Sequence, residues 1–355
     1  MAKLKAAGFR NDSLEWIFSY LTGRHQKVAT AAGESSWNEV LNGVPQGSVL
    51  GPLLFTVLVS DLRDAIERGR YHMYADDTQL YYSCKCENVD DTIKDINSDL
   101  NRISKYSKTN CLKLNTDKSK FIIIGSRQNL KKLKNINMEP IKIENDVIER
   151  EYETKNLGIT FDEELKWTRH VNLSIAKAYG KLKNAFRFKN FLNESSKLKL
   201  TETYILSQFN YGDIILQNLT DQLENKIQKL QNRCVRYTYG LRKYDHISGF
   251  IKEKNTLNMK NRRMLHSLNL MYRIRNNKAP MYLCDRIVTH NEQHDHFTRN
   301  RLNIIPAFAR SKIRNMSYFI DISKQFNELS KNVEINNISL STFKSRCKKY
   351  LLHNQ

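Results

Sequence analysis

Tyr74-Ala75-Asp76-Asp77 sets two carboxylates side by side in the chain. The flanks alternate, with Tyr71-His72-Met73-Tyr74 before and Thr78-Gln79-Leu80-Tyr81-Tyr82 after, so the pair is expected at the turn of a β-hairpin. A hard cation such as Mg²⁺ takes oxygen ligands, often one or two carboxylates together with substrate phosphates. Two such ions activate an attacking 3′-hydroxyl and stabilise a leaving pyrophosphate oxygen. Taken alone, the same pair is an ordinary solvated turn, because Asp adopts turn geometry easily.

The elements that must position this pair are legible around it. Leu14, Ile17, Phe18 and Leu21 share a helical face after a cap at Asn11, Asp12 or Ser13. Residues 37–44 read as a strand that leads into Gly43-Val44-Pro45-Gln46-Gly47. A helical pattern then runs from Ser48 to Arg68, with Pro52 in its first turn, where proline is tolerated. After the hairpin, Ile93, Ile96, Leu100, Ile103 and Tyr106 mark an amphipathic helix over 89–109. Phe121-Ile122-Ile123-Ile124-Gly125 reads as a buried strand. Further strands are expected over 147–161, and long helices from Trp167 and His170 onward. These readings place one domain at 1–165, a helical one at 166–284 and a polar, basic segment at 285–355.

Charge is unevenly placed. The 355 residues hold 58 Lys+Arg and 37 Asp+Glu, a net of +21, but residues 1–100 carry −4 and residues 101–355 carry +25. A basic excess of that size favours a polyanion, since phosphate contacts release counterions. It is equally the mark of a Lys-rich solvated surface. Lys226, Lys229, Arg233 and Arg236 form a basic stripe beside the apolar stripe Leu223, Ile227, Leu230 and Cys234. Such a helix can pack on one side and track a nucleic-acid backbone with the other. Lys260, Arg262, Arg263, Arg273 and Arg275 form a second basic cluster with the same two readings.

Other features exclude function classes. The longest apolar stretch, Val49 to Val59, falls far short of the ~20 residues of a membrane span. The N-terminus lacks an apolar signal region, and six cysteines without a framework fit reduced thiols in the cytosol or nucleus. Cys84-Lys85-Cys86 is too tightly spaced for ordinary zinc ligation, and His290, His294 and His296 have no supporting ligands.

The aspartate hairpin does not stand alone. Val44-Pro45-Gln46-Gly47-Ser48-Val49-Leu50-Gly51-Pro52-Leu53-Leu54-Phe55 lies upstream of it by about one helix and one strand. Together the two motifs resemble the palm of a reverse transcriptase of non-LTR (LINE-like) retrotransposons of the jockey and CR1 type. Gly8-Phe9, Trp16 to Leu21 and Arg24 to Val28 resemble the same family. So do Leu112-Lys113-Leu114-Asn115-Thr116-Asp117-Lys118 and Lys155-Asn156-Leu157-Gly158-Ile159, with Trp167 and His170 beyond them. The resemblance is strong through residue 180 and weaker beyond.

The resemblance implies an α+β fold: a partial right-hand polymerase palm, an antiparallel sheet with helices, then an α-helical thumb and a basic C-terminal region. It implies that Asp76 and Asp77 ligate metal, as part of a two-Mg²⁺ site, with Tyr74 and Ala75 near the primer end and incoming nucleotide. Pro45, Gln46, Gly47 and Ser48 would meet template or nucleotide, Gly47 by allowing close backbone approach and Ser48 at a helix N-terminus that favours phosphate. Lys118 would donate a proton to pyrophosphate, its ordinary alternative being a surface Lys. Gly158 would sit in the hairpin that grips the primer.

The implied activity is RNA-directed DNA polymerisation on an RNA template and DNA primer with dNTPs, in the nucleus or cytoplasm and away from membranes. The family carries a further catalytic Asp ahead of the stretch that resembles Lys3 to Phe9, and Asp12, Asp61 and Asp64 do not stand in its context. The expectation is therefore a fragment that is inactive alone and complemented by an N-terminal fragment. The alternatives are a non-catalytic RNA- or DNA-binding remnant and a protein resembling group II intron maturases.

Overall fold

A computed structural model describes residues 1–355 except 135, 294–302 and 311. The chain forms two compact units, Met1–Tyr152 and Glu153–Gln355. Both mix helices with small sheets. Among the described residues every sheet is a two-stranded ladder, one of them parallel, so the single antiparallel sheet that the resemblance implies is not assembled.

In the first unit, helix α1 (Asp12–Leu21) and an exposed arm with two short ladders precede helix α2 (Leu50–Val59). Only Asn38–Glu39 of the expected strand at 37–44 is paired. Helix α2 stops well short of Arg68, and a 3₁₀ turn comes next at Leu62–Ala65. Beyond it the backbone N–H groups of Glu67, Arg68 and Gly69 donate to the Asp99 carboxylate. Those N–H groups are thereby drawn from the helical pattern, whose interior demands them for itself.

Strands β1 (Arg70–Tyr74) and β2 (Asp77–Tyr81) form the expected hairpin. Helix α3 (Val89–Thr109) is next, and its Val89 and Ile93 pack with Leu133, Ile141, Ile143 and Ile148. The run Phe121–Gly125 is not the buried strand its composition suggests. Strand β3 (Lys120–Phe121) pairs only with β4 (Glu149–Arg150), in parallel, and Ile124 is 49% exposed. The chain leaves the ladder because Ser126 caps the next helix, accepting from Asn129 N at 3.3 Å.

The second unit opens with the hairpin β5 (Glu153–Asn156) and β6 (Ile159–Asp162), ahead of the expected boundary at 165. This hairpin belongs with the helical unit, because Thr160 N donates to Nδ1 of His170 on helix α4 (Thr168–Phe186). One core gathers Val171, Ala178 and Leu182 of α4 with Ile227, Leu230 and Tyr237 of α5 (Asp221–Tyr239). A second core joins Leu268, Met271 and Tyr272 of α6 (Met259–Arg275) to Phe326 and Leu329 of α7 (Tyr318–Asn332) and Phe343 and Cys347 of α8 (Leu340–His353).

The segment read as a polar tail from 285 thus supplies core. Tyr272 and Phe343 stack at 4.2 Å. Burying a Phe or Leu side chain is worth about 1.5–3 kcal/mol, enough to hold α7 and α8 in the folded unit. No helix among the described residues is long and apolar enough to cross a membrane.

Candidate active site

Tyr74 and Asp77 close the first hairpin as its last pair, leaving Ala75 and Asp76 as a two-residue loop. Ala75 adopts φ 53, a left-handed conformation costly for a residue with a Cβ. Strand alternation turns Tyr71, Met73 and Leu80 inward. On the other face His72 and Tyr81 stack at 5.2 Å. Tyr74, Ala75, Asp76 and Asp77 are all exposed. Neither carboxylate makes a hydrogen bond or ion pair with another described residue, which leaves both free for a ligand.

Asp99 of α3 sits at the other end of this hairpin and is fully buried. It accepts from Gly69 N at 2.8 Å and from the Tyr82 hydroxyl at 2.6 Å, and pairs with the Arg102 guanidinium. Burial alone would raise its pKa. The Tyr82 hydroxyl, the Gly69 and Glu67 N–H groups and Arg102 outweigh burial and hold it below the usual carboxylate value. Burial and the neighbouring Asp99 in turn raise the Tyr82 hydroxyl well above an ordinary tyrosine. The sequence reading missed Asp99. Its signal was a lone carboxylate between Ile96, Leu100 and Ile103 on the apolar face.

The Pro45–Ser48 segment is a turn that starts α2. Gly47 has φ 82, and Ser48 Oγ donates to Pro45 O at 2.7 Å while accepting from Gly51 N at 3.1 Å. A Cβ at Gly51 would stand 3.0 Å from Ser48 Oγ, so the turn packs tightly on the helix start. Gln46 and Gly47 face solvent, whereas Pro45 and Ser48 are half-buried. Lys118 is exposed on the turn after Asn115, whose side chain accepts from Lys118 N at 3.1 Å. Among the described residues no hydrogen bond or ion pair joins Gln46, Lys118 and the two carboxylates.

In the second unit, Leu157 at φ 44 and Gly158 at φ 84 form the turn of the β5–β6 hairpin. A Cβ on Gly158 would lie 3.3 Å from Tyr211 Cε1. Along α5, Lys226, Lys229 and Arg233 are exposed; Lys226 reaches Asn172 Oδ1 at 3.2 Å and Arg233 lies over the Tyr179 ring. Arg236 differs from them. It is half-buried, and its guanidinium donates to Asn232 O and Asp245 O, so it ties a loop to the helix end.

Three members of the second basic cluster are spent internally, whereas Lys260 and Arg273 are exposed. Arg263 pairs with Glu224 and is 5% exposed; Arg262 pairs with Glu202 at 2.6 Å; Arg275 reaches Asn336 at 2.9 Å. His294 and His296 lie outside the described residues, as do Arg299 to Leu302. Cys84, Cys86 and Cys111 are free thiols.

Two unpartnered carboxylates on one turn suit a hard cation by donor chemistry. Among the described residues, no group of three or more His, Cys, Asp or Glu is assembled to hold a metal ion. The hairpin therefore offers part of a donor set.

Residues 1–161 match the family described as reverse transcriptase (RNA-dependent DNA polymerase). This stretch is a reverse transcriptase domain of the non-LTR, LINE-like kind. The chain is 30% identical over 234 residues to the probable RNA-directed DNA polymerase from transposon BS of Drosophila melanogaster, covering 61% of this chain and 24% of that protein. It is 28% identical over 233 residues to the probable RNA-directed DNA polymerase from transposon X-element of the same organism, covering 62% and 24%. To the RNA-directed DNA polymerase from mobile element jockey, also of Drosophila melanogaster, it is 24% identical over 235 residues, covering 63% and 25%. The chain thus spans about a quarter of the length of these curated relatives.

Proposed function

We propose that this chain is the palm-and-thumb part of an RNA-directed DNA polymerase of a non-LTR retrotransposon. The hairpin at Asp76 and Asp77 belongs to the palm in this reading, and helices α4 and α5 to the thumb. The observation that carries it is the pair of unpartnered, exposed carboxylates at the tip of a two-residue turn, inside the stretch that matches the reverse transcriptase family.

Asp76 and Asp77 hold Mg²⁺ in this reading, and the bound metal supplies Lewis-acid activation of a 3′-hydroxyl and charge neutralisation of pyrophosphate. The chain's own residues do the positioning. Ala75 and Tyr74 present the turn to the primer end. The Pro45–Ser48 turn offers an exposed backbone at Gly47, where template or nucleotide approaches closely. Lys118, exposed and without a side-chain partner among the described residues, serves as proton donor to the leaving group. Lys226, Lys229 and Arg233 track the phosphates of an RNA–DNA duplex, which is recognised by shape and backbone. The remaining metal ligand comes from outside this pair, since the described residues assemble no third carboxylate, histidine or cysteine with it.

A second reading is favoured by that same exposed basic face: a chain that holds nucleic acid without catalysis. Primer extension separates the two. The purified chain is given an RNA template, a DNA primer, dNTPs and Mg²⁺, beside Asp76→Asn. Extension lost in the variant supports the polymerase. No extension, with template binding that weakens steeply with salt, supports the binding remnant. Loss of both overturns both readings.

A further inference from the structure

Asp99 joins both ends of the aspartate hairpin to α3. Its Oδ2 accepts from Gly69 N, immediately before β1, and from the Tyr82 hydroxyl, immediately after β2. Its Oδ1 accepts from Glu67 N at 3.1 Å and from Arg102. Arg102 also reaches Ala65 O at 3.3 Å and Glu67 at 3.3 Å. Every partner is a donor, so the site demands a carboxylate; an amide would turn its own N–H₂ toward N–H or O–H groups. Gly69 is part of the same fit, since a Cβ there would stand 2.5 Å from Tyr82 Cζ.

The ladder runs from Arg70↔Tyr81 at the Asp99 end to Tyr74↔Asp77 at the catalytic end. Neither strand pairs with a third among the described residues, and an isolated two-stranded hairpin is marginal in water. At a rise of about 3.4 Å per residue the tip lies roughly 15 Å from the clamp, so a tilt of about 10° at the base moves the tip by about 3 Å. A displacement of about 1 Å in a reacting group costs on the order of 100-fold in rate.

We propose that Asp99 is a positioning residue for Asp76 and Asp77: it clamps the open end of their hairpin through Gly69 and Tyr82 and so fixes where the two carboxylates stand. Its catalytic consequence rests on the polymerase reading above. The clamp itself does not.

The test uses the full chain as wild type, Asp99→Asn, Tyr82→Phe and Asp76→Asn. Amide hydrogen exchange over 70–82 is the first readout. Asp99→Asn and Tyr82→Phe are expected to speed it at least 10-fold, with helix 89–109 and the second unit unchanged. Asp76→Asn leaves it unchanged. Mn²⁺ titration is the second readout, and both clamp variants are expected to weaken an Asp76-dependent affinity about 5-fold. Unchanged exchange in both clamp variants overturns the proposal. So does an equal rise across the whole first unit, which marks scaffold and no more. Wild type without Asp76-dependent Mn²⁺ binding counts against the polymerase reading, and hairpin exchange still decides the clamp.

Discussion

The hydroxyl of Tyr211 donates to the carbonyl of Leu157 at 2.6 Å, across 54 residues of chain. Leu157 and Gly158 both have positive φ, the requirement of a type I′ turn, whose twist matches that of the flanking strands. The adjoining Gly212, at φ 65, packs so closely that a Cβ would meet Ile159 Cδ1 at 2.3 Å. The turn is thus built jointly by the hairpin and a corner distant in sequence. Tyr211→Phe is expected to cost about 0.5–1 kcal/mol, the worth of one partly exposed hydrogen bond. Gly158→Ala is expected to cost about 1–2 kcal/mol, because alanine resists this φ and its Cβ crowds Tyr211. Urea melts of the two variants check the order; equal stability in both would remove the joint design.

Ala75 gives the mirror case in the first unit. It is a residue with a Cβ held at φ 53 at the tip of the aspartate hairpin. Strain of this kind concentrates where function needs a fixed geometry. Ala75→Gly is expected to leave stability level or raise it by up to about 1 kcal/mol, the relief of strain partly offset by greater freedom when unfolded. Ala75→Val is expected to destabilise the hairpin, because a β-branched residue is a poor fit to positive φ. Hydrogen exchange of residues 70–82 reads both. A valine variant that exchanges like wild type would mean that the turn is free to change its conformation.

His170 makes the second unit sensitive to acid. Burial, with Lys177 adding its charge, holds its pKa below the usual histidine value, and its neutral Nδ1 accepts from Thr160 N at 3.3 Å. Above about pH 6.5 the ring is neutral folded and unfolded, and makes no pH-dependent contribution. As pH falls below that value the unfolded chain takes up the proton first. Stability is then lost down to the depressed folded pKa, at up to about 1.4 kcal/mol per pH unit. Urea midpoints at pH 7.5 and 5.5 are expected to fall more in wild type than in His170→Phe. Equal falls would show that other groups carry the acid sensitivity.

The range of each physical signal decides how much of the fold was legible in the sequence. The aspartate hairpin, helix 12–21 and helix 89–109 were readable because alternation and 3.6-residue periodicity are local. The break between Val59 and Arg68 was not, because groups distant in the chain take its backbone: Lys3 and Tyr106 donate to the carbonyl of Leu58, and Asp99 accepts from the N–H groups of Glu67 to Gly69. The strand expected at Phe121–Gly125 failed for lack of a neighbour: composition reports apolarity, whereas a strand needs a partner. Helices α7 and α8 were hidden by their lysines and asparagines. Their apolar residues recur at helical spacing, Ile322, Phe326 and Leu329, then Phe343, Cys347 and Leu351, yet only packing against α6 shows the stripe to be core. At the candidate site, the carboxylate pair was legible as a motif and its clamp was not.

Basic residues of one type serve two ends in the second unit, and mutation separates them. Arg263 is buried against Glu224, whose pKa is raised by burial despite the pull of Arg263 and Lys260. Removing Arg263 strands a carboxylate in that site, and Arg263→Ala is expected to cost about 3 kcal/mol in urea denaturation. Lys226, Lys229 and Arg233 stand exposed along one face of α5. Replacing all three by Gln is expected to change stability by under about 0.5 kcal/mol for each site. The effect belongs to binding instead. Each lost phosphate contact lowers the slope of log K against log salt by about 0.7–0.9, so the triple variant should bind RNA–DNA duplex with a slope shallower by about 2 to 3. Fluorescence anisotropy between 50 and 200 mM salt measures it. A slope like that of wild type would mean that this face meets no phosphate, and that the charge of α5 serves only to keep its surface in water.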